Sequence, residues 1–223
     1  MNQDPRPLAI FDFDGTMIKG DSIVPYVQFA LQKGKLSLPD ALRAGLYSLL
    51  GISRLVSAEK GKSGVLRFLR HMSMEEQQAF NDAFLKERIL PRLFPRAVKR
   101  LLHHRAQNDI ILLVSASPDC YMRKLASFLP VHDILASRTS PEGVVSSNCK
   151  GEEKVRRVRA WAEQNHFDID WAASFAYGDN ASDIPVMSLT GNPVCVNPKK
   201  ALSGQKPEWK AEQWGEINGS ATL

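Results

Sequence analysis

Five apolar runs recur along the chain, and each ends against a polar residue: "LAIFDF", "DIILLVSAS", "HDILAS", "ASFAYGD" and "NPVCVNP". Short apolar runs bounded in this way read as strands inside a sheet. Helical patterns lie between several of them, notably over 96–107 and 152–164. Strands alternating with helices predict an α/β chain, a doubly wound, Rossmann-like parallel sheet covered on both faces. Open sheets of this kind bind ligands beyond the carboxyl ends of their strands. Asp12, Ser115 and Asp179 each fall just past an apolar run. Three polar ends in one crevice constrain the chemistry more than any one of them does.

From residue 23 to residue 90 the alternation stops. Apolar residues follow helical spacing in "VPYVQFAL", "LPDALRAGLYSLL", "GVLRFLRHM" and "EEQQAFNDAFLKERIL", with no β-rich run between them. The expected division is a catalytic core over 1–20 and 91–205, an inserted all-helical cap over 21–90, and a C-terminal tail over 206–223. The tail is rich in Gly, Lys, Glu and Trp without periodicity and is expected to be loose. "SPEGVVSS" joins a turn signal to a short β run and predicts a small hairpin beside the sheet.

A length of 223 residues suits one large domain or a core with an accessory unit. The formal net charge of +5 favours an anionic substrate. Basic residues are scattered and not interleaved with aromatics, so no nucleic-acid partner is expected. Cys120, Cys149 and Cys195 lack a paired metal-ligand spacing and read as reduced thiols. "MNQDPRPLAI" is polar and Pro-punctuated, unlike a secretory signal. No apolar run approaches the ~18 residues of a membrane span; "AGLYSLLGIS", between Arg43 and Arg54, comes nearest. A cytoplasmic location is the default expectation. Contact with a membrane surface is the less favoured alternative, and the oligomeric state stays open.

Acids placed straight after a buried strand need a counter-charge or a metal, because an unpaired buried carboxylate is expensive. Asp12-x-Asp14-Gly15-Thr16 raises this demand first. If the strand ends there and the chain turns at Gly15, both carboxylates reach one site, with Asp12 suited to nucleophile and Asp14 to general acid and base. In "LLVSASP", Ser115 ends a strand, where its hydroxyl and the following backbone N–H groups, Ala116 included, suit a phosphoryl oxygen. "NCKGEEKV" offers Lys150 and Lys154 near a helix start, to neutralise charge on the nucleophile and the transferring group. "FAYGDNASD" adds Asp179 and Asp183, hard oxygen ligands that suit Mg²⁺. Taken together, these motifs describe a site that breaks a phosphate ester.

The order DxDGT, strand-end Ser, Lys, then GDxxxD resembles the haloacid dehalogenase-like hydrolase superfamily of aspartyl-phosphate enzymes. The resemblance runs from Leu8 to about Pro198. A helical insertion right after the first motif is similar to the cap of the phosphoserine-phosphatase-like branch. "SASP" and "CxGxEK" look closest to bacterial members that include phosphatidylglycerophosphate phosphatases. What the resemblance implies is an attack by Asp12 on phosphorus, with Asp14 protonating the leaving alcohol, activating water and binding Mg²⁺ through its backbone carbonyl. It also implies phosphate contacts from Ser115, Ala116 and Thr16, and a metal held by Asp12, Asp14 and Asp179, with Asp183 a second-shell or variable ligand. Asp21 falls where this branch often carries an acid facing the substrate. Lys154 is chosen over Lys150 because Val155, Val158 and Trp161 follow it at helical spacing, and because it fits the "GxEK" form.

Other motifs read more plainly. "EKGKS" lacks the first glycine of a phosphate-binding G-x-x-x-x-G-K-[ST] loop. His103 and His104 are expected to be solvated, and His132 and His166 to pack or cap. "KVRRVRAW" reads as one solvated helix face, and "LYSLLGISRLV" as cap core. Asp21 either N-caps the first cap helix or meets substrate. The expected activity is a Mg²⁺-dependent phosphomonoesterase acting on a small phosphorylated metabolite, such as a phosphoserine-like amino-alcohol phosphate. A lipid head-group phosphatase is the alternative, and a phosphomutase or phosphotransferase the more distant one.

Overall fold

A computed structural model describes residues 4–53 and 55–215; within helix 38–52, the side chains of residues 48, 49, 51 and 52 lie outside that description. β1 (Leu8–Phe11) is followed by four helices, α1 (Ile23–Gln32), α2 (Leu38–Ile52), α3 (Ala58–Leu66) and α4 (Met74–Phe84). Next come α5 (Pro95–Ala106), β2 (Ile110–Pro118), α6 (Asp119–Met122), β3 (Asp133–Thr139), β4 (Val145–Ser147) and α7 (Glu152–Gln164). The chain closes with β5 (Phe175–Gly178), α8 (Ile184–Met187), β6 (Asn192–Val196), α9 (Lys200–Gln205) and β7 (Lys210–Glu212). The seven strands form one sheet in the order β4-β3-β2-β1-β5-β6-β7. Every pairing is parallel except the β3–β4 hairpin.

Alternation along the strands sorts side chains to two cores. Leu8, Ile10, Ile110, Leu112 and Ala176 face Val158 and Trp161 of α7 and Met187 of α8. Ala9, Phe11, Ile111, Leu113 and Tyr177 face Ala97 and Leu101 of α5. Both faces being covered is why these strands read as unbroken apolar runs. The second cluster also takes in Tyr26, Phe29, Phe68, Phe80 and Phe84 from the helical insertion, so cap and sheet share one apolar interior. Tyr26 packs edge-on against Phe84 and lies 4.7 Å, centroid to centroid, from Tyr121 of α6.

Several expectations are corrected. The tail is not loose up to residue 215: β7 pairs in parallel with β6, and Trp214 is buried beside Phe11 and Tyr177. "KAE" shows no apolar alternation because an edge strand this short draws its stability from neighbours, not from its own side chains. Residues 216–223 lie outside the described chain. His104 is buried, not solvated: α5 turns it inward with Ala97 and Leu101, and its ring nitrogens meet Asp109 Oδ2 at 2.7 Å and the Tyr177 hydroxyl at 2.8 Å. His132 accepts the Ile111 N–H, and His166 is exposed at a positive φ just after α7. Arg157 interrupts the solvated face of α7, bonding Glu153, the Ala136 carbonyl and Ser147 of β4.

α2 inverts the expected cap core. Its inner face is small: Ala44 is buried, and the Tyr47 ring sits so close over Gly64 of α3 that a Cβ there would come within 2.2 Å of it. Leu38, Leu42 and Leu46, spaced four apart, are 65%, 72% and 55% exposed, and Leu55 beyond the helix is exposed as well. The side chain of Leu49 and all of Arg54, both within that expected core segment, lie outside the described residues. No helix among the described residues is long and apolar enough to cross a membrane.

Candidate active site

β1 delivers the first acid. Asp12 keeps the sheet register, its N–H donating to the Tyr177 carbonyl at 2.9 Å. The chain then reverses, with the N–H groups of Thr16, Met17 and Ile18 all donating to the Phe13 carbonyl. Gly15 stands at the turn with φ +84°, and a Cβ there would lie 2.1 Å from Asp179 Oδ2. Glycine is required twice over: it tolerates the positive φ, and it leaves the space that Asp179 fills.

Lys154, in the first turn of α7, is 1% exposed. Its Nζ donates to Asp12 Oδ1 at 2.6 Å and to Asp183 Oδ1 at 2.7 Å. Burial pulls the ammonium's pKa down, but Asp12 and Asp183 outweigh it and hold Lys154 above the usual lysine range. Burial and the Asp183 charge push Asp12 up to about 7 against the pull of Lys154. The other Asp12 oxygen accepts the Thr16 hydroxyl at 3.1 Å. Lys150 is exposed.

Past β5, Asp179 and Asp183 complete the cluster. Asp183 Oδ2 accepts the Asn180 N–H at 3.2 Å while Asn180 Oδ1 accepts that of Ser182, a reciprocal cap that fixes the turn Ala181–Asp183. Asp179 is raised by burial and partly offset by Lys199, whose Nζ lies 2.7 Å from Asp179 Oδ2. Asp12, Asp179 and Asp183 present carboxylate oxygens all within 4.8 Å of one another, every one buried. Three carboxylates against Lys154 and Lys199 leave a negative excess, and hard oxygen donors at this spacing fit a Mg²⁺-like cation.

Asp14's carboxylate faces away from that cluster. Its Oδ1 accepts the Ser22 N–H at 2.8 Å and its Oδ2 the Ser117 hydroxyl. The Ser22 hydroxyl in turn meets Ser117 Oγ at 3.0 Å and the Tyr121 hydroxyl at 2.9 Å. Burial, then the Asp21 charge, push Asp14 up to about 6, a value at which a carboxyl can both give and take a proton near neutrality. Asp21 itself is exposed and accepts the Ile23 N–H at 2.7 Å, a capping contact at the start of α1. Ser115 does not end its strand as expected: it is buried inside β2, just past Val114, where the register with β3 shifts before pairing resumes at Pro118. Its Oγ accepts the Ser117 N–H at 3.0 Å, leaving its own proton to donate. The Ala116 carbonyl accepts from Ser137 and from Lys62 of the cap.

Ser22, Ser117, Tyr121, Lys199 and Lys62 did not emerge from the sequence. Two of them carry a local signal, Ser117 two residues past Ser115 on the same strand and Ser22 next to Asp21; Tyr121, Lys199 and Lys62 meet the site only through distant folding. A cavity of about 710 Å³ opens beside Tyr177, Asn192 and Trp209, and Asp12, Lys154, Asp179 and Asp183 are not among the residues that line it. Its cations Arg100, Lys206 and Lys210 are paired with Glu208 and Glu212, so the chemistry stays with the carboxylate cluster.

This arrangement, a buried carboxylate against a lysine with two further acids at the carboxyl ends of parallel strands, is that of a hydrolase. The model of the haloacid dehalogenase-like hydrolase family matches residues 9–188, and the chain belongs to that family. The histidinol-phosphatase of Neisseria meningitidis serogroup C is 26% identical, over 96% of this chain and 99% of that one. The crystal structure of a protein of unknown function from Bordetella pertussis Tohama I matches with a TM-score of 0.85 at 24% identity, over 95% of this chain and all of the other. A phospho-aspartyl intermediate analogue of phosphoserine phosphatase matches with a TM-score of 0.62 at 15% identity, over 96% and 95% of the two chains. The fold is the capped, phosphoserine-phosphatase-like form, and the activity class is phosphoric monoester hydrolysis.

Proposed function

We propose that the protein is a Mg²⁺-dependent phosphatase that works through an aspartyl-phosphate on Asp12 and takes a small amino-alcohol phosphate. The observation that carries this reading is the Lys154 ammonium bridging Asp12 and Asp183 inside a buried acid cluster. Asp12 Oδ attacks phosphorus as the bond to the leaving oxygen breaks, and Asp14 gives its proton to the departing alcohol. Water then loses a proton to Asp14 and attacks the same phosphorus, the P–O bond to Asp12 breaks, and orthophosphate leaves. Ser115 donates its hydroxyl proton to a phosphoryl oxygen, Ala116 and Thr16 border the phosphate, and Lys154 offsets charge on nucleophile and phosphoryl group. Held by Asp12, Asp179, Asp183 and the Asp14 carbonyl, Mg²⁺ would supply further positive charge against the phosphoryl oxygens.

Substrate class rests on two supports. Histidinol, in the name of the relative matched along nearly its whole length, is an amino alcohol. Asp21, exposed and electrostatically felt by Asp14, is suited to an ammonium group at the mouth of the site. The exposed leucines of α2 favour a second reading, a lipid head-group phosphate whose acyl chains lie on the cap. A phosphate-release screen over amino-alcohol phosphates, sugar phosphates and phosphatidylglycerophosphate vesicles, with Mg²⁺ or with chelator, separates them. Turnover confined to vesicles would sink the amino-alcohol reading, and full turnover in chelator would sink the metal.

A further inference from the structure

Lys62 belongs to α3 of the cap, yet its ammonium lies against the core. It donates to Asn148 Oδ1 at 2.6 Å and to the Ala116 carbonyl. Ser137, from β3, donates to the same carbonyl at 2.6 Å. Desolvation pulls the Lys62 pKa down to about 8, against the opposing charges of Asp21, Asp14 and its own helix's Glu59 and alongside the like charge of Lys150. An ammonium buried this far is costly unless its hydrogen bonds are made; one of those it makes ends on the Asn148 side chain and the other on the Ala116 carbonyl.

The peptide joining Ala116 to Ser117 is a rigid plane. Its carbonyl is pinned by Lys62 and Ser137, and its N–H donates to Ser115 Oγ at 3.0 Å. With that acceptor position filled, the Ser115 hydroxyl keeps its proton to donate. One bond further on, the Ser117 hydroxyl donates to Asp14 Oδ2. A single plane therefore orients both the hydroxyl that faces phosphate and the hydroxyl that holds the acid.

We propose that Lys62 is a positioning residue that fixes the Ala116–Ser117 peptide from the cap, so that Ser115 and Asp14 are aligned when cap and core are docked. This rests on the phosphatase reading above. Around the same seam, Val145 of β4 donates its N–H to Ser63 Oγ at 2.8 Å and Gln77 of α4 donates to the Pro141 carbonyl at 2.9 Å. The cap thus grips the β3–β4 hairpin and the last residues of β2 together, and of these three bonds the one from Lys62 ends on the peptide beside Ser115.

The test compares Lys62→Met, Lys62→Arg and Ser137→Ala on an alkyl phosphomonoester found in the screen and on p-nitrophenyl phosphate, with thermal melts. Lys62→Met is expected to lower kcat about 100-fold on the alkyl ester but only about tenfold on p-nitrophenyl phosphate, since nitrophenolate leaves without a proton from Asp14. KM should move less than kcat, Lys62→Arg should recover most of the loss, and Ser137→Ala should show the same leaving-group bias at smaller size. Equal losses on both esters, or unchanged kinetics in a folded Lys62→Met, would overturn the proposal. If Lys62→Met does not fold, the bias in Ser137→Ala decides: no bias there overturns it. Asp12→Asn runs alongside. Turnover surviving there brings down the phosphatase reading itself, whereas a dead Asp12→Asn with an unbiased Lys62→Met brings down only the role of Lys62.

Discussion

Around Asp12 the buried acids of the site have partners within hydrogen-bond reach, whereas on α2 three leucines a turn apart face solvent. The first region is expensive to build and is held by residues from β1, α7, the turn after β5 and the loop after β6. The second is cheap: Ala44 is buried and Tyr47 lies over Gly64, but the leucine side of the helix meets water. Charge taken from water must be matched atom by atom, while an exposed apolar face costs the folded state little. Substitutions should therefore be felt very unequally across the molecule.

The largest effect belongs to Asp12→Asn, which should lower turnover by about 10⁴-fold or more with the melt nearly unchanged, since an amide cannot form the acyl-phosphate. Phosphate release within tenfold of wild type would break the comparison at its strongest point. Lys154→Met should leave Asp12 and Asp183 facing each other without their shared cation, costing about 3–5 kcal/mol by analogy with broken buried pairs and most of the activity. Lys150→Ala should stay close to wild type in both, and a reversed ranking in melts and kinetics would reassign the lysine.

Smaller effects follow at the rim. Asp179→Asn should weaken Mg²⁺ binding at least tenfold by calorimetry, and Lys199→Ala should tighten it, because the ammonium 2.7 Å from Asp179 competes for the same oxygen. Unchanged affinity in both variants would remove Asp179 from the ligand set. As pH rises through about 8, Lys62 loses its proton, and kcat should fall several-fold. Stability should move the other way: the unfolded chain keeps that proton up to the ordinary lysine pKa, so this group's contribution to stability rises with pH over the same window. A kcat flat from pH 7 to 9, or a fall that persists in Lys62→Arg, would dissociate the limb from Lys62. Least of all, Leu42→Ser with Leu46→Ser should shift stability by no more than about 0.5 kcal/mol and leave p-nitrophenyl phosphate turnover untouched. Loss of vesicle co-sedimentation and of lipid-phosphate turnover in that variant would show the leucine face to be a working surface.

The strands were legible because both sheet faces are covered, which writes them as unbroken apolar runs, and the site acids because each follows such a run. α2 shows the limit of periodicity. Four-residue spacing of Leu38, Leu42 and Leu46 reveals a helix with an apolar face, but not that the alanine side turns inward. β7 carried no pattern, since its strength comes from Trp214 settling beside Tyr177. His104 looked like one of a basic pair, and only the inward turn of α5 toward Asp109 and Tyr177 separates it from His103. Lys62 and Lys199 were invisible for another reason: each meets its partner across more than a local stretch of chain, and nothing in a lysine's neighbours says where a long stem will end.

The strand order sets a timetable for folding. β1 is central, yet its two neighbours, β2 and β5, are synthesised late, Leu8 pairing with Ile110 and Ala9 with Phe175. The helices between them can form early from local contacts, while β1 waits about a hundred residues for its first partner, a closure that slows folding. A nascent chain halted before Ile110 should show helical signal and still yield Leu8–Phe11 to protease. Cap first, β1 afterwards, is the order that this strand arrangement predicts.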